Sequence, residues 1–599
     1  MTARARARTF ATAAYCLIPP LLCLVLYKRG LTAWFQADDF AWLSLRLQVH
    51  DGRSLLHALF APMAQGTIRP LSERAFFLTL ESIFGVNALP FRICVFLTQC
   101  ANLTLLSAVT RRLTGSRLAG FCAAVLWMVN NAQAWPMVWS SVYNQILCGF
   151  FLMGAFWFLL RYIETGRRRD YLWQWVLFLL GFGALEINVV YPALAALYTF
   201  LCARNFFRTT LPLFVPSALF AVVDRLVAPP QPTGPYALHF DGAIPATLLT
   251  YCSRALVPIQ VDQIKGGPDV VLACLFGAAL VIFTILRLRQ NDRLPLFCLG
   301  WFVIVLAPVL PLRDHVSTYY LVLPAIGLAM LAGYALAGAQ HVWKAVGLVL
   351  AAVYLLIMVT GDRLEVAWWQ RRSLAIQRMV LGVARAHQLH PTQAILLDNV
   401  DEQLFWAAIY HHPFLIFGAP AVYLTPGSGF SEFELPDGPT VHGLNHNQVV
   451  VYRVGGPRLK AITSVYEKTA AQKLSTDPPR RIDIANPLSA YLLGPEWYAP
   501  EEGFRWMPHR ATLRIGGPRT PSDRLYLNGF GPPNDLRVTV DGTPLALKIV
   551  DNPFFCILDL PNQLLGRKQL EISIEAAHTF RVDNDGRDLS VAFRSIEVR

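Results

Sequence analysis

The feature that most constrains this chain is a series of long apolar runs before residue 361, each close to the length that spans a bilayer, about 20 residues. Only 15% of the 599 residues are charged, whereas a soluble protein of this size carries about a quarter. In hydrocarbon, a backbone must satisfy its own hydrogen bonds, so spanning segments of this length fold as helices. The sequence therefore predicts a polytopic α-helical membrane protein.

Hydropathy and loop charge predict about eleven membrane-spanning helices. Their predicted extents are Phe10–Tyr27, Pro90–Thr110, Leu118–Trp135, Val142–Ile163, Tyr171–Leu185, Val189–Ala203, Leu211–Val227, Val270–Leu286, Leu294–Leu310, Tyr319–Leu336 and Trp343–Thr360. Between the first two, Phe40–His50 and Leu71–Phe84 show helical spacing and are predicted to lie in the membrane surface. The loop Ala228–Asp269 is rich in proline and glycine, and we predict it to lie on the outer side and to be mobile.

The placement of basic residues predicts the orientation of the chain. The net charge is +13, and the arginines cluster at the ends of apolar runs, as at Arg111/Arg112 and Arg167–Arg169. This pattern orients helices in a membrane and does not resemble a nucleic-acid-binding stripe. Arg4, Arg6 and Arg8 precede the first run without a recognisable cleavage site, so we predict an uncleaved anchor with a cytoplasmic amino terminus. An odd number of crossings then places the carboxy-terminal part outside the cytoplasm.

The sequence predicts three domains: a membrane domain over residues 1–361, an α/β region over 362–480 and a β-sandwich over 481–599. Ala394–Asp398 is predicted to be a buried strand, and Gln403–Tyr410 a helix. Beyond residue 481, short alternating runs such as Leu536–Gly542 and Leu570–Ile574 are separated by glycine and proline, which is typical of an antiparallel sandwich. We interpret His411 and His412 as surface or core histidines, because neither has partners at zinc spacing.

An acidic pair, Asp38–Asp39, follows the first apolar run. Charge beside hydrocarbon is costly, so ionisable residues there suggest a function. One carboxylate can act as a general base while the other tunes its pKa and position. Alternatively, Asp39 is the N-cap of a helix that begins at Phe40, a position that favours aspartate. The sequence does not decide between these interpretations, nor which aspartate is the base.

Three further groups are candidate site residues. Arg69 suits a phosphate, because guanidinium binds phosphate in a forked geometry, but it can also snorkel to the membrane surface. Glu186 is costly at a membrane hairpin unless it is paired or hydrated, so it is either a ligand contact or a structural salt bridge. Arg313, His315 and Tyr319 form a second candidate for phosphate or sugar contact, or else ordinary loop charge.

These motifs, in this order, resemble the GT-C superfamily of membrane glycosyltransferases, especially its protein O-mannosyltransferase and aminoarabinose-transferase branch. The matching elements are Asp38-Asp39-Phe40, Arg69-Pro70-Leu71, the stretch Ala134-Trp135-Pro136 to Ser140-Ser141, Glu186 with Pro192, and His315 with Tyr320-Leu321-Val322-Leu323-Pro324. The resemblance covers about Phe10 to Thr360. Many members of the superfamily carry a lysine where this chain has Leu185, which puts that cationic contact in doubt.

The resemblance implies transfer of a sugar from a polyprenyl-phosphate donor to a hydroxyl of a glycan, lipid or protein, with inversion, at the outer face of a bacterial inner membrane. It implies contact with membrane lipid and no nucleic acid. Some members use a divalent metal ion, although this sequence shows no dedicated set of ligands. Alternatives are a polysaccharide polymerase or ligase on the same carrier, or a non-catalytic transporter or glycan-binding scaffold.

Overall fold

The computed structural model describes residue 15 and residues 17–62, 67–229, 232–258, 267–338, 341–455, 458–549, 551–582 and 585–599. The described chain divides into two compact units. Unit 1 comprises Met1–Gln377 together with Trp406–Ile416, and unit 2 comprises Arg378–Phe405 together with Phe417–Arg599. Each unit is described by itself below.

Unit 1 is helical. After a helical stretch over residues 17–27, its helices are α1 Asp39–Leu43, α2 Gly52–Phe60, α3 Phe76–Phe84, α4 Ala88–Thr114, α5 Arg117–Met128, α6 Tyr143–Thr165, α7 Arg168–Gly181, α8 Tyr191–Cys202, α9 Phe207–Thr210, α10 Phe214–Val227, α11 Ile244–Leu256, α12 Pro268–Arg289, α13 Leu294–Leu306, α14 Ala325–Gly338 and α15 His341–Leu389. The last of these continues beyond Gln377 into unit 2.

Five helical segments among the described residues are long and apolar enough to cross a membrane, so the chain is a multi-pass membrane protein. They are Ala88–Thr114, Ser140–Thr165, Arg204–Val227, Pro268–Arg289 and Trp343–Leu389. Four shorter apolar helices accompany them: Arg117–Met128, Glu186–Cys202, Leu294–Val309 and Ala325–Gly338. The predicted number of about eleven spans stays a prediction; residues 10–14 and 16 of the predicted first span, and the arginines before it, lie outside the described residues.

Several predicted boundaries differ from the structure. The predicted span Trp343–Thr360 does not end there: Gly361 follows it but lies within the helix, no proline occurs before Pro391, and α15 runs to Leu389. The predicted loop Ala228–Asp269 contains α11, whose apolar residues recur at helical spacing; residues 230–231 and 259–266 of this loop lie outside the described part. The two predicted surface helices are each divided: α1 is followed by a 3-10 turn, Ser44–Gln48, and α3 is preceded by a π-helical turn, Pro70–Ala75.

Small residues allow the apolar helices of unit 1 to approach closely. A Cβ added to Gly333 of α14 would lie 2.5 Å from the carbonyl oxygen of Ala119 in α5. A Cβ on Gly327 of α14 would lie 2.4 Å from the carbonyl oxygen of Cys298 in α13. Small residues are favoured at helix contacts in membranes because they permit backbone approach and dispersion contacts where no hydrophobic effect drives association.

Unit 2 contains an α/β sheet and a β-sandwich. The first has the strand order β2 Val422–Leu424, β1 Ala394–Asp398, β3 Val449–Arg453 and β4 Lys460–Ala461, with β1 parallel to both β2 and β3. Its helices are α16 Glu402–Leu404, α17 Asp437–Asn445 and α18 Thr463–Thr469. The predicted strand Ala394–Asp398 is therefore present, whereas the predicted helix Gln403–Tyr410 is the short α16 followed by a π-helical turn, Phe405–Ile409.

The remaining strands form two antiparallel sheets that share one apolar core. They are β5 Arg481–Asp483, β6 Arg505–Trp506, β7 Arg510–Gly516, β8 Arg524–Phe530, β9 Asn534–Val540, β10 Thr543–Ile549, β11 Phe554–Asp559, β12 Gln569–Ala576 and β13 Ala592–Val598. One sheet has the order β10-β9-β12-β7, and the other β11-β8-β13-β5 with β6 beside β13. Trp497 belongs to this core, where its indole Nε1–H donates to the Thr512 carbonyl at 2.8 Å.

We expect Gly327→Ala to destabilise the membrane unit, because the added methyl group meets a backbone carbonyl that cannot move independently of α13. Overpacking of this kind costs about 1–3 kcal/mol. The expected result is a lower apparent Tm in detergent, measured by intrinsic fluorescence. Gly338→Ala, in the same helix, is the control, since nothing lies within 4 Å of its added Cβ. Equal Tm values for the two variants would contradict the packing argument.

Candidate active site

The turn that carries the acidic pair separates its two carboxylates. Helix α1 begins at Asp39, and Asp38 occupies its N-cap position without making a side-chain capping hydrogen bond. Ala37, just before the pair, has a left-handed backbone with φ 49°. The interpretation of Asp39 as an N-cap is therefore wrong, because the helix begins one residue earlier than expected. The Asp38 side chain is 53% exposed, whereas Asp39 is fully buried.

Asp39 is bound on both carboxylate oxygens. Oδ1 accepts the Ser141 backbone N–H at 2.7 Å and the Ser141 hydroxyl at 2.6 Å, and Oδ2 accepts the Gln36 N–H at 3.1 Å. Burial raises the pKa of Asp39 to about 6, against the opposing effects of the Arg92 charge and of these hydrogen bonds. Asp39 therefore fixes the turn and joins it to the Ser140–Val142 turn that leads into α6.

Asp38 faces a histidine that the sequence analysis interpreted as surface or core. The His411 Nε2 atom lies 3.1 Å from Asp38 Oδ1. His411 belongs to the segment Trp406–Ile416, which is part of unit 1. Among the described residues, no hydrogen bond to Asp38 Oδ2 is present. Asp38 therefore combines an accessible carboxylate oxygen with a fixed orientation, whereas Asp39 has no free oxygen to offer.

Arg69 and Glu186 come together in an ion pair, and Glu73 completes a cluster. The Arg69 Nε atom lies 2.9 Å from each Glu186 oxygen, and Nη1 lies 2.5 Å from Glu73 Oε1. Although burial alone would lower the pKa of Arg69, the two carboxylates raise it well above its ordinary value. Burial raises the pKa of Glu73, against the effect of Arg69, and so favours its neutral acid.

Backbone contacts between two elements position this cluster. The π-helical turn Pro70–Ala75 lies against the hairpin before Glu186, where the Leu71 N–H donates to the Gly183 carbonyl at 2.9 Å. The Ser72 hydroxyl donates to the Ala184 carbonyl at 2.7 Å. Gly183 permits this approach, because a Cβ there would lie 2.8 Å from Leu71 Cγ. The pairing of Arg69 with Glu186 is thus built into the fold and does not arise from a flexible surface contact.

The third predicted group is only partly assembled. His315 Nε2 lies 3.2 Å from the Tyr319 hydroxyl, and its ring lies 4.6 Å from that of Tyr236. Burial lowers the pKa of His315, which favours the neutral ring. Arg313 instead pairs with Asp241 at 2.5 Å, with its side chain 41% exposed. His315 and Tyr319 therefore form one contact, and Arg313 takes part in another.

Tyr236 lies beside His315. The pKa of Tyr236 is raised to about 12, mainly by burial, with Tyr320 and Asp38 adding to the rise and Arg69 opposing it. The contact that places Tyr236 in the site is its ring contact with His315.

Among the described residues, no group of three His, Cys, Asp or Glu side chains could hold a metal ion. Asp38 and His411 supply two potential ligands, and the structure adds no third in that part of the chain. Two ligands, Asp38 and His411, are too few to hold the divalent ion that some GT-C enzymes use.

Sequence reasoning missed three partners of the predicted residues. Glu73 could have been found, because it lies four residues after Arg69, where opposite charges pair in a helix. Ser141 gave only a weak signal, as a small polar residue after a tryptophan-containing turn. His411 gave none, because it lies 373 residues from Asp38 and only the fold brings the two together.

Comparisons with known proteins give no family model and no curated protein that matches the chain. Among solved structures, the chain is similar to ArnT from Cupriavidus metallidurans bound to undecaprenyl phosphate, with 13% identity, a TM-score of 0.41, and coverage of 77% of this chain and 95% of that chain.

The chain is also similar to the oligosaccharyltransferase AglB from Archaeoglobus fulgidus. In complex with an inhibitory peptide and a dolichol-phosphate, that protein shows 9% identity, a TM-score of 0.40, and coverage of 98% of this chain and 96% of that chain. The chain is likewise similar to the Archaeoglobus fulgidus oligosaccharyltransferase in complex with Zn and sulfate, with 9% identity, a TM-score of 0.41 and coverage of 96% of each chain. Similarities at this level carry no argument about chemistry, so the function is argued from the site.

The pKa of Asp39 predicts how stability changes with pH. In the unfolded chain, an aspartate has a pKa of about 3.9. Between about pH 4 and 6 the folded protein therefore binds more protons than the unfolded chain, and stability decreases as pH rises through that window, by about 3 kcal/mol for this group. Asp39→Asn removes this contribution.

The measurement is apparent Tm in detergent from pH 4 to 7. Between pH 4 and 6, we expect the apparent Tm of the wild type to decrease more than that of Asp39→Asn. Asp535→Asn, at an exposed position of β9, serves as the control and keeps the wild-type slope. If Asp39→Asn follows the wild-type slope, the carboxylate is not the titrating group.

Proposed function

We propose that this chain is a GT-C-type glycosyltransferase of a bacterial inner membrane, which moves a sugar from a polyprenyl-phosphate donor to a hydroxyl of a glycan, lipid or protein at the outer face. The observation that carries the proposal is the contrast between the two aspartates. Asp38 is exposed beside the membrane-spanning helices, and the buried Asp39 fixes its turn. This arrangement suits a base that must reach a substrate at the membrane boundary.

In the proposed reaction, Asp38 takes the proton of the acceptor hydroxyl as its oxygen attacks the anomeric carbon of the donor. The bond from that carbon to the phosphate oxygen breaks, and the polyprenyl phosphate leaves with the electron pair. Attack opposite the leaving group inverts the anomeric configuration. General-base assistance of this kind contributes about 10²–10⁴-fold to a rate.

Arg69 is the proposed contact for the carrier phosphate. Its Nε and Nη1 atoms already donate to glutamates, which leaves Nη2 for the phosphate. Glu186 and Glu73 hold the guanidinium in place, so its charge is oriented before the phosphate acquires its extra negative charge. Preorganised donors of this kind stabilise a leaving anion without reorganisation during the reaction.

His315, Tyr319 and Glu186 are the proposed contacts to the sugar, with Arg313 at the exposed edge as a second phosphate or sugar contact. Two tilted ring pairs, His315 with Tyr236 at 4.6 Å and Tyr319 with Trp135 at 5.5 Å, supply flat apolar surfaces on which a sugar ring can stack. We propose a cytoplasmic amino terminus and an extracytoplasmic tail, with domains over residues 1–361, 362–480 and 481–599.

The first functional test is Asp38→Asn. Asparagine keeps the shape of the side chain but cannot accept the proton, so we expect transfer to fall about 10²–10⁴-fold. The measurement is release of carrier phosphate from labelled polyprenyl-phosphate sugars, with membrane acceptors present. Asp535→Asn is the matched control and retains transfer. Undiminished transfer by Asp38→Asn would contradict the assigned role.

The second test is Arg69→Lys, which keeps the charge but cannot donate in the forked geometry to Glu186. The loss of one charge-assisted hydrogen bond is worth about 1.5–3 kcal/mol, so kcat/KM for the donor is expected to fall about 10- to 100-fold. Arg524→Lys changes an exposed arginine of the sandwich and is the control. If Arg69→Lys lowers only the apparent Tm and leaves kcat/KM intact, Arg69 is structural.

A further inference from the structure

The contact between Asp38 and His411 joins positions that are far apart in the sequence. His411 is 25% exposed, and its Nε2 atom lies 3.1 Å from Asp38 Oδ1. Neither the pattern of apolar runs nor the motifs around Asp38 involve residues beyond 361. The histidine nevertheless meets the one carboxylate of the acidic pair that is free to contact a substrate.

The backbone holds this contact independently of the two side chains. The Ala37 N–H donates to the Ala407 carbonyl at 2.5 Å, so the residue before the acidic pair is tied to the segment that carries His411. Within that segment a π-helical turn, Phe405–Ile409, precedes the histidine. A chance contact between flexible side chains would not come with a backbone hydrogen bond between the same two elements.

Both partners are also flanked by an unusual backbone conformation. Ala37 precedes Asp38 with φ 49°, and His412 follows His411 with φ 48°. Residues other than glycine rarely adopt positive φ, and they do so where the surrounding structure imposes it, often at functional sites. The two strained residues lie immediately beside the two halves of the contact.

We propose that His411 is a positioning residue for Asp38, and that the segment Trp406–Ile416 is therefore part of the active site. This inference rests on the proposed function. The imidazole Nε2–H donates to Oδ1 and fixes the carboxylate plane, which leaves Oδ2 to accept the proton of the acceptor hydroxyl. Without that hydrogen bond, an exposed carboxylate samples several rotamers, and fewer of them hold a reactive geometry.

The kinetic test compares His411→Ala with His411→Gln in the full-length protein. Alanine removes the donor, so kcat is expected to fall about 10- to 100-fold while KM for the donor changes little. Glutamine places an N–H at a similar reach and is expected to restore most of kcat. His57→Gln, at an exposed histidine of α2, is the control. Wild-type kcat for His411→Ala, or no recovery with His411→Gln, would overturn the positioning role.

A double-mutant cycle separates this role from general destabilisation. In the Asp38→Asn background there is no base left to position, so adding His411→Ala is expected to cause no further loss of kcat. A loss that multiplies with that of Asp38→Asn would show that His411 acts elsewhere, and would overturn the proposal.

A crosslink tests the contact without relying on activity. Treatment of the Asp38→Cys/His411→Cys variant with dibromobimane, which bridges neighbouring thiols without requiring disulfide geometry, is expected to join the two peptides, as identified by mass spectrometry. The single variant Asp38→Cys is the control and is expected not to give this crosslinked pair. An absent crosslink in the first variant would overturn the inference. A crosslink in a protein whose wild type releases no carrier from labelled undecaprenyl-phosphate mannose, glucose or aminoarabinose would instead refute the proposed function, and with it the catalytic role of the contact.

Discussion

The candidate site depends on the burial of one carboxylate. Asp39 lies out of contact with water, and its oxygens accept three hydrogen bonds from Ser141 and Gln36. Burying a carboxylate without hydrogen-bond partners would cost several kcal/mol of folding free energy. The turn around Asp39 therefore cannot rearrange without exposing the carboxylate or removing its hydrogen bonds. The geometry of Asp38 follows directly, because the same turn directs the neighbouring residue outward. Asp39 stabilises the turn, and Asp38 remains accessible to a substrate.

The Arg69 cluster applies the same constraint to another part of unit 1. A guanidinium that is 20% exposed is held between Glu186 and Glu73, and the Asn144 amide also donates to Glu73 at 3.3 Å. The cluster therefore ties together the π-helical turn, the hairpin before α8 and the first turn of α6. Removing one side chain of this partly buried cluster leaves the charge of its partner unpaired. The resulting loss of stability exceeds the net stabilisation that any single ion pair provides. This explains why residues so far apart in sequence keep one geometry.

The sequence indicated the elements but not their partners. Apolar runs of spanning length identified the membrane helices, and alternation identified the strands of unit 2, because each pattern follows directly from which side of an element is buried. Motif order indicated Arg69 and Glu186 as separate candidates, and a structural salt bridge was one interpretation of Glu186, but nothing in the sequence paired the two. The different surroundings of Asp38 and Asp39 could not be predicted, since they depend on a backbone turn with Ala37 at positive φ. His411 could not be predicted either, because its contact with Asp38 is a product of the tertiary fold alone.

The two strained residues of the site suggest why these contacts persist. Glycine would adopt positive φ at positions 37 and 412 without strain, yet the chain places alanine and histidine there. Such conformations cost about 1–3 kcal/mol each and are kept only where the surroundings over-determine them. At Ala37 the surroundings are the buried Asp39 and the Ala407 carbonyl, both of which bind the turn. Because these contacts offset the strain, they are strong enough to persist and to keep the carboxylate of Asp38 beside the imidazole of His411.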